Sequence, residues 1–354
     1  MGPESGGYIM NVRAMVMAAG AGTRLRPLTY AIPKPMVPIA NRPVLEYTVE
    51  NLKRHGITEI IFNLHNYPEL IRDYFKDGSA WGVRIQYSFE PKLLGTAGGV
   101  RKTGWFLEDS TFLVMSGDGL TDIDLTKLLA FHTQKKSAAT IGLKSVDERF
   151  EYGVTLTDAR GRIQKFIEKP QWRDVFSNQV NTGIYVFEPR ILRQIPPRRP
   201  VDFGHDIWPK LLSKGEPIYG YLTDRYWCDV GNLSEYRRAQ RDFLEGKVGF
   251  LPPGIEIRRG IWVEEGARIA SGVKLEAPCL IGRRSRIAKG SLIGAYTVIG
   301  RDARIGAGSS LRNCILWDDV SVGKRVKLEN CVIGHKAHVT ESISMYEGSV
   351  IQAT

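Results

Sequence analysis

The residues best suited to chemistry in this chain fall first in one short stretch, residues 18–34, AAGAGTRLRPLTYAIPK. It follows an apolar run at 14–19 that reads as a buried strand. Gly20 and Gly22 carry no Cβ and tolerate positive φ, so the chain can turn tightly and a ligand can approach the backbone. Arg24, Arg26 and, past two prolines, Lys34 then supply fixed positive charge. A strand running into such a turn suits a polyphosphate, shared between N–H groups and side chains. Glycine-rich turns after strands also serve plain chain reversal. Whether this turn serves a phosphate therefore depends on what the rest of the chain supplies.

Acids come next. Residues 111–118, TFLVMSGD, read as a buried strand ending in Asp118, the place where open α/β sheets put their ligands. Mg2+ takes oxygen ligands and keeps waters, so one or two carboxylates plus substrate phosphates suffice, and Asp118 is the first metal ligand expected. Asp122 and Asp124 suit the start of a helix over Leu125–Gln134. Residues 93–100, LLGTAGGV, make a second glycine-rich turn. There Gly95, Gly98 and Gly99 either offer backbone groups to a flat base or allow close packing at a helix start. Three strings follow in the middle: FEYG at 150–153, FIEKP at 166–170 and VNTGIY at 180–185. Glu168, Asn181 and Lys169 make up the carboxylate, amide and cation that a sugar phosphate requires. YWCDVG at 226–231 sets Asp229 at a strand end, where it could also cap the next helix, with Cys228 as apolar filler.

These residues need elements to position them. From residue 11 to about 231, strand-like and helix-like segments alternate, which predicts an α/β layer fold with a mixed, mostly parallel sheet. Helices are expected at 43–55, stopped by Gly56, at Pro68–Phe75 and at 232–245, and strands at Glu59–Leu64 and 83–89. Beyond Pro252, Pro253 and Gly254 the pattern changes. Ile257, Val263, Ile269, Leu275, Ile281, Ile287, Ile293, Ile299, Ile305 and Leu311 recur every six residues, with small residues mostly four places later. A strict hexad of this kind predicts a left-handed parallel β-helix. The register slips by one after Trp317, resumes at Val322 and Leu328, slips again to Ile333 and Gly334, and then blurs. Cys314 and Cys331 hold the same place one coil apart and should stack as reduced neighbours.

Composition sets the bounds. With 354 residues, 43% hydrophobic and 25% charged, the chain has room for two or three ordinary globular domains. No apolar run approaches the roughly 20 residues that span a bilayer. The first ten residues, MGPESGGYIM, lack a secretory pattern and read as a flexible leader, so a cytoplasmic location follows by default. The net charge of +11 comes without a nucleic-acid module and suits anionic phosphate substrates. Four cysteines without CxxC spacing argue against a zinc or disulfide framework.

The loop string GAGTRLRPLT…PK resembles the signature of the sugar-1-phosphate nucleotidyltransferases, in which GxGTRLxPLT…PK holds a nucleoside triphosphate. LGTA at 94–97, GD at 117–118, EKP at 168–170, NTG at 181–183 and DVG at 229–231 follow in that family's order. The resemblance covers essentially the whole chain. It implies a Rossmann-like nucleotidyltransferase domain at 11–246, then a left-handed β-helix at 252–350. The implied reaction joins a nucleoside triphosphate to a hexose 1-phosphate and releases pyrophosphate. By the same resemblance, Ala19, Gly20, Gly22, Thr23, Arg24, Leu94, Gly95, Thr96 and Gly98 bind nucleotide. Gly153, Glu168, Lys169, Asn181 and Thr182 bind sugar phosphate, Asp118 and Asp229 hold Mg2+, and Arg24, Lys34, Lys169 and Asp118 are catalytic. The nucleophile is already an anion, so catalysis reduces to positioning and charge neutralisation.

Overall texture, with KLLGTAGGV and the attached β-helix, is most similar to mannose-1-phosphate guanylyltransferases, implying GTP and mannose 1-phosphate. Thymidylyl-, uridylyl- and adenylyltransfer to glucose 1-phosphate are the alternatives; Leu93 stands where uridylyltransferring relatives often carry glutamine. Two other classes stay open. One is a hexapeptide acyltransferase using His335 or His338, which read as surface residues; the other is a non-catalytic regulatory subunit. Asp118, Asp229, Arg24, Lys34 and Lys169 speak against the latter. The solenoid's flat faces point to a homo-oligomer, with neither nucleic acid nor membrane as partner.

Overall fold

The computed structural model describes residues 12–146, 152–171, 173, 175–346 and 350–351. The expected leader, with the start at Asn11, and Phe150 and Glu151 of the FEYG string lie outside the described residues. The chain divides into two compact units. One runs to Ala21 and from Leu45 to Asp229; the other comprises Gly22–Val44 and the chain from Val230 onward.

The first unit is built on a twisted mixed sheet. Strands β1 (Arg13–Met17), β2 (Glu59–Leu64), β3 (Arg84–Phe89) and β4 (Phe112–Ser116) run parallel in the order β3-β2-β1-β4. Ala14, Met15 and Val16 are fully buried, as a central parallel strand covered on both faces requires. Helix α1 (Val44–Arg54) buries Leu45, Val49 and Leu52 and ends at Gly56, whose φ of 74° takes the left-handed turn. Helix α2 (Pro68–Phe75) buries Ile71 and Phe75, and helix α3 (Gly95–Lys102) begins within the second glycine-rich turn.

After β4 come a short strand β5 (Gly119–Thr121) and helix α4 (Leu125–Gln134). Asp124 caps α4 by accepting the Lys127 N–H at 2.9 Å, as the sequence suggests. Asp122 instead accepts the Tyr226 N–H at 2.8 Å and ties down a distant turn. Strands β6 (Ala139–Ser145), β7 (Val154–Thr157), β8 (Ile163–Ile167) and β9 (Gln179–Phe187) then turn the sheet antiparallel. Parallel pairing is interrupted at β4, against which β9 runs antiparallel, and returns where Ile218–Leu222 joins β6. Behind β9 the rings of Phe187, Phe203 and Trp208 stack, Phe187 on Trp208 at 5.5 Å and 10°. Strand β10 (Ile218–Leu222) adds to β6, and β11 (Trp227–Asp229) forms a separate ribbon with β5.

The second unit contains helix α5 (Leu233–Leu244) and a left-handed β-helix. The helix is capped by Asn232, which accepts the Glu235 N–H at 3.0 Å, so Asp229 is not needed as a cap. Three stacks of short parallel strands enclose Ile281, Ile287, Ile293, Ile299, Ile305 and Leu311. Ile257 does not join them. It lies on an antiparallel lead-in strand and is 51% exposed.

The register also differs from the hexad count. Leu316, not Trp317, is the inward residue, because Leu316 pairs with Ile299 and with Ile333. The slip falls at the corner of Asn313, and the next at Asn330, both in left-handed backbone that asparagine tolerates. Trp317 points outward. Its Nε1 donates to the Tyr236 hydroxyl at 2.8 Å, and its ring lies 4.8 Å from that of His335. His335 is thus half-buried rather than a plain surface residue, and burial holds its pKa below the usual imidazole range. The repeat continues through Val339 and Met345 instead of blurring. Cys314 and Cys331 are buried free thiols, and the partnership with Cys331, then burial, pushes Cys314 well above the usual thiol range.

Candidate active site

At the carboxyl edge of the first unit's sheet, two acids come together by register. Asp118 follows β4, and in the β5–β11 ribbon Asp229 pairs with Gly119, the very next residue. The Ser116 hydroxyl donates to Asp118 Oδ1. Trp227 Nε1 donates to the Thr182 carbonyl at 3.0 Å, fastening the ribbon to β9. A Cβ on Gly183 would lie 3.1 Å from the Ser116 Cβ, so the NTG string passes directly beside the end of β4.

Asn181 is held from both ends. Its Nδ2 donates to the buried Tyr185 hydroxyl at 2.9 Å, and its Oδ1 accepts the Gly183 N–H at 2.9 Å. Thr182 is buried and its hydroxyl donates to the Gly142 carbonyl at 2.8 Å, so that side chain serves the sheet. Glu168, at the end of β8, lies between two glycines. A Cβ on Gly153 would come within 2.7 Å of Glu168 Oε2, and one on Gly204 within 2.6 Å of its Cδ. Burial, and after it the Asp202 carboxylate, push Glu168 above the usual carboxylate range, while Lys169 and His205 pull it back. Lys169 is exposed, with a φ of 44° that turns it sharply out of the strand.

The LGTA turn is wired into its surroundings. The Ala97 and Gly98 N–H groups donate to the Val201 carbonyl at 3.0 and 3.1 Å, and the Val201 N–H donates to the Leu94 carbonyl at 2.8 Å. A Cβ on Gly95 would lie 2.5 Å from the Val201 oxygen, so the close packing weighed from the sequence is present. Thr96 Oγ1 donates to Asp202 at 2.8 Å and accepts the Phe203 N–H at 2.8 Å. Asp202 thereby joins this turn to the segment that flanks Glu168. The sequence reading missed Asp202, Asn63 and Glu90. The last two form a buried relay: Ala18 N–H to Asn63 Oδ1 at 2.8 Å, Asn63 Nδ2 to Glu90 Oε1 at 2.8 Å, and Leu94 N–H to Glu90 Oε2 at 3.0 Å. It ties the end of β1, where Ala19 and Gly20 follow, to the second glycine-rich turn. A Cβ on Gly20 would meet no atom within 4 Å, so packing is not what that glycine serves.

Gly22, Thr23, Arg24 and Lys34 belong to the second unit. Gly22 has a φ of 62°, and a Cβ there would sit 2.9 Å from the Lys34 Cβ. The Thr29 hydroxyl donates to the Gly22 carbonyl at 2.7 Å and closes the loop on itself. Lys34 is buried, 7% exposed, while Thr23 and Arg24 are exposed.

An α/β unit with paired acids at the sheet's carboxyl edge, joined to a hexapeptide solenoid, defines a nucleotidyltransferase class of architecture. Comparison with known proteins makes it specific: the nucleotidyl transferase family profile matches residues 13–246, and that of the EIF2B subunit epsilon LbH domain matches residues 258–354. The chain belongs to the sugar-1-phosphate nucleotidyltransferase family. It is 41% identical over 288 residues to the UTP–glucose-1-phosphate uridylyltransferase of Synechocystis, covering 77% of this chain and 74% of that one. It is 35% identical to the mannose-1-phosphate guanylyltransferase of Mycobacterium tuberculosis, covering 77% and 75%. Among solved structures, HddC from Yersinia pseudotuberculosis, complexed with GMP-PN, aligns at a TM-score of 0.57 and 26% identity, over 66% of this chain and 99% of that one. Among the described residues no helix is long and apolar enough to cross a membrane.

Proposed function

We propose that this protein transfers a nucleotidyl group from GTP to mannose 1-phosphate, giving GDP-mannose and pyrophosphate. The observation that carries nucleotidyl transfer is the pairing of Asp229 with Gly119 beside Asp118, close to Asn181–Gly183. Those two acids fit Mg2+. The donor set is oxygen only, and no group of three or more His, Cys, Asp or Glu gathers among the described residues. That leaves ligand positions for waters and substrate phosphates. Mg2+ there would offset the repulsion between the two anionic substrates. Lys169 holds the sugar phosphate, Glu168 and Asn181 take sugar hydroxyls, and Arg24 and Lys34 steady the triphosphate. On this assignment Arg24→Ala raises the barrier by about 2–4 kcal/mol, the cost of one lost charge-stabilising donor. Steady-state turnover close to that of the wild type would remove Arg24 from the reaction.

Guanylyl transfer to mannose 1-phosphate is supported by the M. tuberculosis relative, and a guanine nucleotide by the HddC complex with GMP-PN. The 41% identity to the Synechocystis enzyme supports the second reading, UTP with glucose 1-phosphate. A pyrophosphate-release panel crossing GTP, UTP, dTTP and ATP with mannose and glucose 1-phosphates decides between them. The expected result is fastest turnover with GTP and mannose 1-phosphate; no turnover with any pair would end the enzyme reading. We further assign the solenoid a role in self-association, which sedimentation of the full chain tests.

A further inference from the structure

The three outward faces of the β-helix differ in what covers or neutralises them. Along the first, Leu280 and Val298 are buried and α5 is fastened by its Tyr236–Trp317 bond, while Arg241 lies 4.5 Å over the Tyr296 ring. On the second, Arg312 reaches over Gly294 to Glu276 in a two-bonded pair at 2.6 and 3.0 Å. On the third, the strand register sets Arg268 opposite Arg286 and Arg286 opposite Arg304. All three are exposed, and among the described residues none forms an ion pair with a carboxylate, although Arg304 lies in the field of Asp302. At the adjoining corner Arg284 is paired with Asp302 at 2.8 Å, so this solenoid does place acids for arginines one coil away.

Neighbouring strands lie about 4.8 Å apart, so the ladder carries three cations over about 10 Å. Like charges directly opposite on adjacent strands destabilise a sheet. Asp302 at the corner, its carboxylate bonded to Arg284, offsets only part of that cost, at Arg304. Beside the ladder, Ala270, Ala288 and Gly306 make a floor without side-chain bulk, and the two rows bound a shallow trough of about 670 Å3.

We propose that this trough is a binding site for an oligophosphate, either an inorganic phosphate chain or the phosphate tail of a nucleotide. Contiguous phosphates put an anionic oxygen opposite each guanidinium, whose planar fork accepts it in two-bonded geometry. An extended acidic peptide fits less well, since its same-face side chains bring one charge per about 6.7 Å, a lower charge density than contiguous phosphates. The small-residue floor leaves room for the rest of a nucleotide to lie flat. This site is independent of the acids at the first unit's sheet edge.

The test is calorimetric titration of the full chain with inorganic triphosphate and, separately, with GTP. The variant is Arg268→Ser/Arg286→Ser/Arg304→Ser, with a thermal melt as the check on folding; the single Arg286→Glu stands in should the triple variant fail it. The wild type is expected to bind one more equivalent of triphosphate than the triple variant. Arg286→Glu should weaken that equivalent at least tenfold, and nucleotidyl transfer without added oligophosphate should be unchanged in both. Competition by GTP for the same equivalent assigns the nucleotide tail; indifference to GTP assigns the inorganic chain. Equal stoichiometry and affinity in wild type and variants overturns the proposal, as does equal displacement by an oligoglutamate peptide. Should no substrate pair turn over while the ladder-dependent equivalent persists, the enzyme reading falls and this site stands.

Discussion

Asp118→Asn should fold normally and turn over about a thousandfold more slowly, a loss of ~4 kcal/mol in transition-state stabilisation. The asparagine oxygen can still accept the Ser116 hydroxyl, so the local hydrogen bond survives the change. What goes is the negative charge. A neutral amide is a poor ligand for a hard divalent ion, so Asp229 would be left as the one protein carboxylate beside the substrate phosphates, and the ion would be held more weakly. Asp229→Asn should match Asp118→Asn in size if both hold the ion, since the ribbon register sets Asp229 beside Gly119, the residue after Asp118. The double variant should then be little worse than either single one, as expected of residues acting as a unit. Mn2+ titration followed by water proton relaxation gives a readout separate from turnover, and both variants should lose the tight site. Turnover of Asp118→Asn within tenfold of wild type would show that the acid pair is not the metal site.

How much of this was legible before the structure follows from how local each signal is. The hexad declares itself because every coil repeats the same local demand, one inward aliphatic and one tight corner. Its first slip was misplaced because Trp317 is apolar and falls six after Leu311, whereas the corner at Asn313 is one residue shorter; the second, between Leu328 and Ile333, was read where it lies. Asp118, Asp229, Glu168 and Asn181 stood out because each ends or enters a strand within a short string. Asp202 did not, because its partner Thr96 is 106 residues away and only the packing of Val201 on Gly95 brings them together. Thr182 stood out in the same way, and the structure adds what its string could not show, a buried hydroxyl bonded to the Gly142 carbonyl across the sheet.

Glu90→Ala is expected to cost about 2–6 kcal/mol of stability and to weaken nucleotide binding selectively. Glu90 is 1% exposed and its two oxygens take the Asn63 amide and the Leu94 N–H. Removing the carboxylate strands two buried donors at about 1–3 kcal/mol each. Gly99 packs against the pair so closely, with a Cβ there only 2.7 Å from Asn63 Nδ2 and from Glu90 Oε1, that no larger neighbour is in place to fill the gap. Once Asn63 is released, its bond to the Ala18 N–H loosens as well, and that amide immediately precedes Ala19 and Gly20. The end of β1 and the second glycine-rich turn would lose their tie together, while Asn181 rests on Tyr185 and the Gly183 N–H. Glu90→Gln separates the two effects. It keeps the shape and one acceptor but must turn an N–H toward a donor, so it should cost about 1–3 kcal/mol and still fold. In that folded variant the KM for the nucleoside triphosphate should rise at least tenfold and the KM for the sugar phosphate should hold. Equal rises in both would make Glu90 a general prop of the sheet, and no rise in either would detach the relay from nucleotide binding.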